Sequence, residues 1–312
     1  MNRDISHALE NMGFYDYKIE AVGNGNNSNV YHVKTEGKDY AFKVYPNKGD
    51  DQRPRLTTEV NVLRLIRYNG IYKVPKPLSW NTKENWALFS WIDGTRPLKL
   101  SCSDWSEFFG FIKSIQNLEN PDKIPVNAAS ESCNTYKEHL DLIETRLIDC
   151  KKYLIMKSYK KCEGIVNGLI NQLNAIGLIT SNCFINDIRI LSPSDIGIHN
   201  MLRTSDGLNY IDFEYAGWDD PYKLLADCIL QPNQIIKQKD VHQMIKIASN
   251  AMNIQFDGSN LKIFVSLYRI KWVTIISKLL QKENASEVLW SNTINDYLKQ
   301  TEYYSWGSNV QF

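Results

Sequence analysis

Residues 191–214 read LSPSDIGIHNMLRTSDGLNYIDFE, and among the oxygen-bearing side chains of this stretch the spacing of Asp195, Asn200 and Asp212 is the informative feature. Asp195 is followed five positions later by Asn200, and Asp212 closes a short apolar run, 208–211, that has the pattern of a β-strand. Aspartate and asparagine at this spacing are common in loops, because both residues favour turns. The stretch therefore indicates a catalytic loop followed by a metal-holding strand end only if other parts of the chain supply matching groups.

A turn rich in glycine, asparagine and serine lies upstream, at residues 23–29, between two strand-like runs. Such a turn leaves backbone N–H groups open, and Gly23, Gly25 and Ser28 are the candidates for contacting phosphate oxygens. An ordinary hairpin loop has the same composition, so the turn alone is a weak signal.

The next strand-like run, 40–45, contains Lys43 between Phe42 and Val44. A lysine there could simply face solvent on a half-buried strand, and taken alone that interpretation is preferred. The amphipathic helix predicted next carries Glu59. A strand lysine followed by a helix glutamate is the pair with which kinases hold the α- and β-phosphates, so the two residues support each other.

Two further runs, 74–80 and 86–92, complete a predicted five-stranded sheet. We place a hinge at residues 90–94, where backbone groups of Ser90 and Ile92 would contact an adenine; an ordinary strand-to-helix turn is the alternative. The chain then divides into an N-terminal nucleotide-binding lobe, 1–92, and a mainly helical C-terminal catalytic and substrate-binding lobe, 93–312.

Composition is that of an ordinary globular protein. The 312 residues are 43% hydrophobic and 23% charged, and 36 Lys and Arg nearly cancel 35 Asp and Glu. No global field attracts nucleic acid or an anionic membrane, so neither is an expected partner.

Other features predict a cytoplasmic location. The first ten residues include acidic side chains and lack a continuous apolar run, which argues against a signal peptide. The most apolar late stretch, 261–280, contains four basic residues and is predicted to be a buried or amphipathic helix rather than a membrane span. The six cysteines form no C-x-x-C pair, which argues against a zinc site and fits reduced thiols.

Phosphoryl transfer is the chemistry that these groups suit, because it needs mainly position and counter-charge from the protein. A carboxylate must orient the acceptor hydroxyl and take its proton, and Mg²⁺ needs hard oxygen ligands beside ATP. Asp195 is the candidate catalytic base, and Asn200 and Asp212 are the candidate Mg²⁺ ligands.

With D-x-x-x-x-N at 195–200 and I-D-F-E at 211–214, the chain resembles the protein-kinase-like phosphotransferases of small molecules, the family of aminoglycoside phosphotransferases and choline kinases. The landmarks run through most of the chain. The resemblance implies an α+β, bilobal kinase-like fold, with a small N-terminal β-sheet lobe containing one helix and a larger, mainly helical C-terminal lobe. It also implies ATP and Mg²⁺ as cofactors, Lys43 as a phosphate contact, and, because protein kinases usually have Gly at the position of Glu214, the small-molecule branch.

Two positions depart from the family pattern. The family usually has His two residues before the catalytic Asp, where this chain has Pro193. The segment 219–227, DDPYKLLAD, resembles D-P-x-x-D-L-A, but Leu224 stands at the expected acidic position. Either Asp227 takes over that structural role or the local network differs.

The sequence thus predicts an ATP-dependent small-molecule kinase whose partner is a hydroxyl acceptor: a sugar, an amino sugar or an amino alcohol such as choline. A nucleotide-binding pseudokinase is one alternative, motivated by Pro193 and Leu224. A protein kinase is another, disfavoured because no activation-loop-length segment ending in A-P-E follows Asp212. The acceptor's identity and the oligomeric state stay open.

Overall fold

A computed structural model describes residues 2–24, 28–46, 52–180, 188–305 and 307–308. The chain divides into two compact units. The first unit comprises Met1–Arg96, Asn117–Asn127 and Asn200–Ala216, and the second comprises Pro97–Gln116, Ala128–His199 and Gly217–Phe312. The chain first passes from the first unit to the second between Arg96 and Pro97, and the first unit also includes two later segments. The division into a nucleotide-binding lobe, 1–92, and a catalytic lobe, 93–312, stays a prediction.

Nine helices and nine strands are present in the described residues. In chain order they are α1 (Asn2–Asn11), β1 (Lys18–Asn24), β2 (Asn29–Lys34), β3 (Asp39–Val44), α2 (Arg55–Tyr68), β4 (Pro77–Asn81), β5 (Trp86–Ser90), α3 (Cys102–Ser114), α4 (Tyr136–Met156), α5 (Lys160–Thr180), β6 (Ile190–Ser192), β7 (Met201–Thr204), β8 (Gly207–Tyr210), β9 (Gly217–Asp219), α6 (Pro221–Leu230), α7 (Gln238–Met252), α8 (Gly258–Lys282) and α9 (Glu287–Gln300).

The first unit is built on a five-stranded antiparallel sheet in the order β1-β2-β3-β5-β4. One face packs on α1, through Leu9, Phe42 and Leu88 among others. Because side chains alternate along a strand, Lys43 lies on the opposite face from Phe42. The strand pattern therefore separates an apolar core face from a face that carries a charged residue.

The edge strand β4 and helix α2 complete this part of the first unit. The predicted strand 74–80 is observed as β4, which begins only at Pro77 and lies at the edge of the sheet. Proline has no N–H to donate to a neighbouring strand, and it is tolerated at the first residue of an edge strand. Helix α2 packs on β4 and β5 and buries Leu56, Val60 and Leu63 together with Glu59. A carboxylate is thereby carried into the interior of the first unit.

A separate hairpin, β7–β8, explains why residues 200–216 belong to the first unit. Thr95 and Arg203 exchange two backbone hydrogen bonds, with N···O distances of 3.0 and 2.8 Å. The N–H of Tyr210 donates to the carbonyl of Lys73 at 2.8 Å. Sequence periodicity does not reveal these pairings, since each joins segments more than a hundred residues apart.

The second unit is mainly helical. Helix α8 packs on α4, α5, α6 and α9, and it is largely buried despite its basic residues. Helix α3 begins with a capping box between Ser101 and Asp104. Strand β6 pairs with β9 through Ile190 and Asp219. The predicted α+β fold class, with a five-stranded N-terminal sheet and a larger helical part, is confirmed.

Across the described ranges, no helix combines the length and the apolar character needed to cross a membrane.

Candidate active site

Lys43 and Glu59, predicted to pair, lie together in the first unit. Lys43 Nζ is 2.6 Å from Glu59 Oε2, and both side chains are almost fully buried. The hydroxyl of Tyr45 donates to the same Glu59 oxygen at 2.6 Å, and the N–H of Phe213 donates to Glu59 Oε1 at 3.2 Å. Glu59 is therefore fixed by three donors, and a solvent-facing Lys43 is excluded.

Asp212 and Glu214 complete a cluster around the same ammonium group. Lys43 Nζ is 2.6 Å from Asp212 Oδ1 and 3.1 Å from Glu214 Oε2. Glu214 is buried, whereas the side chain of Asp212 is 38% exposed. Three carboxylates thus share one lysine, and Asp212 is the member that solvent reaches.

Glu214, to which the sequence assigned no role in the site, also binds Ser28, a predicted phosphate contact, and Arg55, which the sequence did not single out. It accepts a hydrogen bond from Ser28 Oγ at 2.7 Å and pairs with Arg55 Nη1 at 3.1 Å. Two spacing signals could have indicated these residues. Glu214 stands two positions after Asp212, the repeat of an extended chain, and Arg55 stands one helical turn before Glu59.

The protonation equilibria of the cluster follow from burial and mutual attraction. Burial opposes the charge on Lys43, but Glu59, Asp212 and Glu214 outweigh it and raise its pKa. Burial raises the pKa of Glu59 against the opposing effect of Lys43. Burial also disfavours the charge on Glu214, yet Lys43, Ser28 and Arg55 together lower its pKa. Lys43 is therefore charged at neutral pH.

Asn200 and Asp212, the predicted Mg²⁺ ligands, flank the two ends of the β7–β8 hairpin. The N–H of Ile211 donates to the carbonyl of Asn200 at 2.9 Å, so their backbones are adjacent. Asn200 is 5% exposed. Asp212 has a φ of 67°, in the left-handed region that non-glycine residues enter at a cost. Backbone strain of this kind collects at functional sites.

The donor set fits a hard divalent cation. One carboxylate oxygen from each of Glu59, Asp212 and Glu214 lies within 4.8 Å of the others. Mg²⁺ prefers such oxygen ligands, and it keeps some of its waters, so that one or two protein ligands suffice. Solvent access at Asp212 gives a cation a way to reach this group.

The predicted nucleotide contacts divide into several cases. Gly23 lies in β1 at an irregularity in its pairing with β2, and Gly25 falls outside the described residues. Ser28 is buried, and its hydroxyl is engaged by Glu214. At the hinge, the N–H of Ser90 donates to the carbonyl of Lys76 at 2.9 Å, so it is not free to bind an adenine. Ile92 lies just beyond the end of β5.

Asp195, the predicted base, belongs to the second unit and follows β6. Its N–H donates to the carbonyl of Pro193 at 2.8 Å, and Gly197 N–H donates to Asp195 Oδ1 at 3.3 Å. His199 Nε2 lies 3.5 Å from Asp195 Oδ2. The Asp195 side chain is 36% exposed. A carboxylate held by local contacts yet open to solvent can receive a proton from an incoming hydroxyl.

The two departures from the family pattern have a structural outcome. Leu224 is 2% exposed, and Asp227 is a buried carboxyl whose pKa is raised by burial against the pull of Lys271 and Lys223. In place of an acid at 224, Lys223 Nζ reaches Ser194 Oγ at 3.4 Å. Asp227 and Lys223 also interact electrostatically, so Asp227 belongs to the same buried network as Lys223.

Comparison with known proteins agrees with this fold. Residues 18–141 match the model of the phosphotransferase enzyme family. No curated protein matches the sequence.

Three solved structures illustrate the similarity. The choline kinase of Streptococcus pneumoniae has 15% sequence identity and a TM-score of 0.68, covering 97% of this chain and 99% of that one. A spectinomycin phosphotransferase in complex with ADP and spectinomycin has 13% identity and a TM-score of 0.60, covering 96% and 93%. The ethanolamine kinase of Plasmodium vivax has 15% identity and a TM-score of 0.60, covering 96% and 85%. The resemblance to the protein-kinase-like phosphotransferases of small molecules is thus confirmed, by the family match over residues 18–141 and by the fold of nearly the whole chain.

Proposed function

We propose that this protein transfers the γ-phosphoryl group of ATP to a hydroxyl of a small molecule, which is a sugar, an amino sugar or an amino alcohol such as choline. The observation that carries the proposal is the buried cluster in which Lys43 contacts Glu59, Asp212 and Glu214. Burying a lysine among three carboxylates carries a large desolvation penalty, so stability alone does not explain the cluster. Phosphate binding by the lysine does explain it.

Each residue has a role in this proposal. Lys43, oriented by Glu59, neutralises phosphate oxygens of the nucleotide. Asn200 and Asp212 hold Mg²⁺, which supplies charge stabilisation at the phosphates when bound. Asp195 orients the acceptor hydroxyl and takes its proton. The acceptor oxygen forms a bond to the γ-phosphorus while the bond from that phosphorus to the β–γ bridging oxygen breaks, so that ADP leaves.

The proposed acceptor class is supported by the structurally similar enzymes and by the charge of this protein. The similar enzymes are named for choline, ethanolamine and spectinomycin, and all three are small hydroxyl compounds that contain nitrogen. The protein has nearly balanced charge, which gives no reason to expect a polyanionic or polycationic macromolecule as substrate. An amino alcohol or amino sugar is accordingly the first compound to test.

The experiment is a screen for acceptor-dependent ADP release, using amino alcohols, sugars and aminoglycosides with Mg²⁺ and ATP. Asp195→Ala should abolish transfer while nucleotide affinity survives, because the base contacts the acceptor. Asp212→Ala should weaken Mg²⁺-dependent nucleotide binding. Asp149→Ala, at an exposed position in α4, is the matched control and should behave as wild type.

Three outcomes would contradict the proposal. Near-wild-type turnover in Asp195→Ala would remove the assigned base. Nucleotide binding without turnover on any acceptor would favour a pseudokinase. Phosphorylated protein as the main product would favour a protein kinase.

A further inference from the structure

A buried cation lies beneath the loop that carries Asp195. Lys223, on α6, is 1% exposed, and its Nζ contacts Ser194 Oγ at 3.4 Å. It also forms a salt bridge and hydrogen bond with Asp219 Oδ2, and Asp219 is 1% exposed as well. The residue that Lys223 touches is the immediate neighbour of the proposed base.

Ser194 is the point where the conformation of this loop is fixed. Its φ is 65°, in the left-handed region that serine rarely adopts. Its N–H donates to Ser192 Oγ at 3.0 Å, and its hydroxyl donates to the carbonyl of Ser130 at 3.4 Å. Strained backbone persists where surrounding contacts hold it, and the Lys223 ammonium is one of these contacts.

Asp219 closes the arrangement from the other side. It lies in β9 and pairs with Ile190 of β6, the strand that leads directly into the loop. Lys223 therefore connects the strand before the loop, through Asp219, with the residue before the base, through Ser194. A movement of Asp195 relative to β6 would break this connection.

The electrostatic environment keeps Lys223 charged. Burial disfavours its ammonium form, but Asp219 and Asp227 outweigh that effect and raise its pKa. Inside a protein, a hydrogen bond from a charged donor is stronger than in water, because the effective dielectric constant is low. The hydrogen bond to Ser194 is thus made by a charged donor, the Lys223 ammonium group.

We infer that Lys223, with Asp219, is a positioning residue that holds the Ser194–Asp195 loop in the conformation needed for proton transfer from the acceptor. This inference rests on the proposed function. It also gives a physical account of Pro193 and Leu224, because the Lys223 network supports the loop where neither the usual histidine nor the usual acid is present. Lys223 touches no substrate in this scheme and acts through Ser194.

The test uses variants that separate the contact from folding. Lys223→Met alone would leave Asp219 buried without a counter-charge and could unfold the protein. The pair Asp219→Asn with Lys223→Met removes both charges together, and Ser194→Ala removes the contact without touching either. Ser291→Ala, a buried serine on α9, is the matched control.

Three quantities are measured on the full chain: the single-turnover transfer rate, the nucleotide Kd and the thermal midpoint. We expect the rate to fall on the order of 10- to 100-fold in both folded variants, with nucleotide Kd unchanged, because misplacing a base acts on the chemical step. Combining Ser194→Ala with the pair should cost less than the sum of the two separate losses, since both changes remove the Lys223–Ser194 contact and Ser194→Ala additionally removes the hydrogen bond to the Ser130 carbonyl. Wild-type rates in the folded variants, or fully additive losses, would overturn the inference.

A second readout distinguishes failure of the inference from failure of the proposed function. Hydrogen exchange of the 192–198 backbone should be faster than in wild type both in the Asp219→Asn, Lys223→Met pair, which keeps the Ser194–Ser130 hydrogen bond, and in Ser194→Ala, and unchanged in Ser291→Ala. If wild type transfers phosphate to no acceptor, the proposed function fails, while faster loop exchange in the pair still supports the Lys223 contact. Equal exchange in the pair and wild type would overturn the contact itself.

Discussion

Replacing Lys43 by methionine tests whether the carboxylate cluster depends on its lysine. At an effective dielectric constant of about 20, the pair with Glu59 at 2.6 Å and the pair with Glu214 at 3.1 Å are each worth about 5–6 kcal/mol of gross attraction. Desolvation cancels most of this, and removing one partner of a buried pair typically costs about 3–5 kcal/mol. Glu59 and Glu214 account for this figure, because Asp212 is 38% exposed and screened by solvent.

The measurement is unfolding by urea and by heat near pH 7.5. Lys34→Met is a matched control in the same sheet: Lys34 pairs with Glu20 at 2.8 Å, but both side chains are exposed. An exposed pair contributes about 0–1 kcal/mol. We expect Lys43→Met to lower the thermal midpoint by roughly 5–8 °C and Lys34→Met to lower it by roughly 2 °C or less.

The pH dependence gives a second signature. Burial already raises the pKa of Glu59, and removing Lys43 takes away the opposing effect. A carboxyl whose folded pKa is raised is stabilising at low pH and loses that contribution as the pH rises. The stability deficit of Lys43→Met should therefore shrink as the pH falls toward the pKa of Glu59. Equal losses in Lys43→Met and Lys34→Met, or a deficit that grows in acid, would refute the reasoning.

Three further predictions concern the second unit. In Gly197→Ala, the new Cβ would overlap the His199 imidazole and lie 2.8 Å from Gln231 Nε2, so the imidazole must move away from Asp195. We expect the free energy of unfolding in urea to fall by about 1–3 kcal/mol, and phosphoryl transfer to be slower with unchanged nucleotide affinity. Burial raises the pKa of Asp220 to about 6, so the free energy of unfolding of wild type should fall by about 3 kcal/mol relative to that of Asp220→Asn as the pH rises from below 4 through 6. Asparagine keeps the N-cap of α6, so the comparison isolates the charge. The measurement is urea unfolding at each pH, and a constant difference between the two proteins would contradict the raised pKa. Ser101→Ala should lower the unfolding free energy by about 1 kcal/mol through loss of the α3 capping box and leave transfer rates unchanged; a change in rate would refute a purely structural role.

Local patterns predicted the strands of the N-terminal sheet in their order, but not the short strands β6, β7 and β9. Helix α3 begins with a capping box between Ser101 and Asp104, and α6 begins with Asp220 as N-cap and Pro221 in its first turn; both are local start signals. Such signals act between near neighbours, so a single sequence contains them in full.

The sequence by itself also determined which residue types the first unit would bring to its site, since Lys43, Glu59 and Asp212 are spaced on a strand, a helix and a strand end. Tertiary structure alone decided that Glu214 and Arg55 would join them, that Ser28 would bind Glu214, and that Lys223 would contact Ser194. These contacts join segments up to 186 residues apart. They form only when the helices and sheets pack and bring buried charges from distant segments together. A local sequence pattern contains no information about such distant partners.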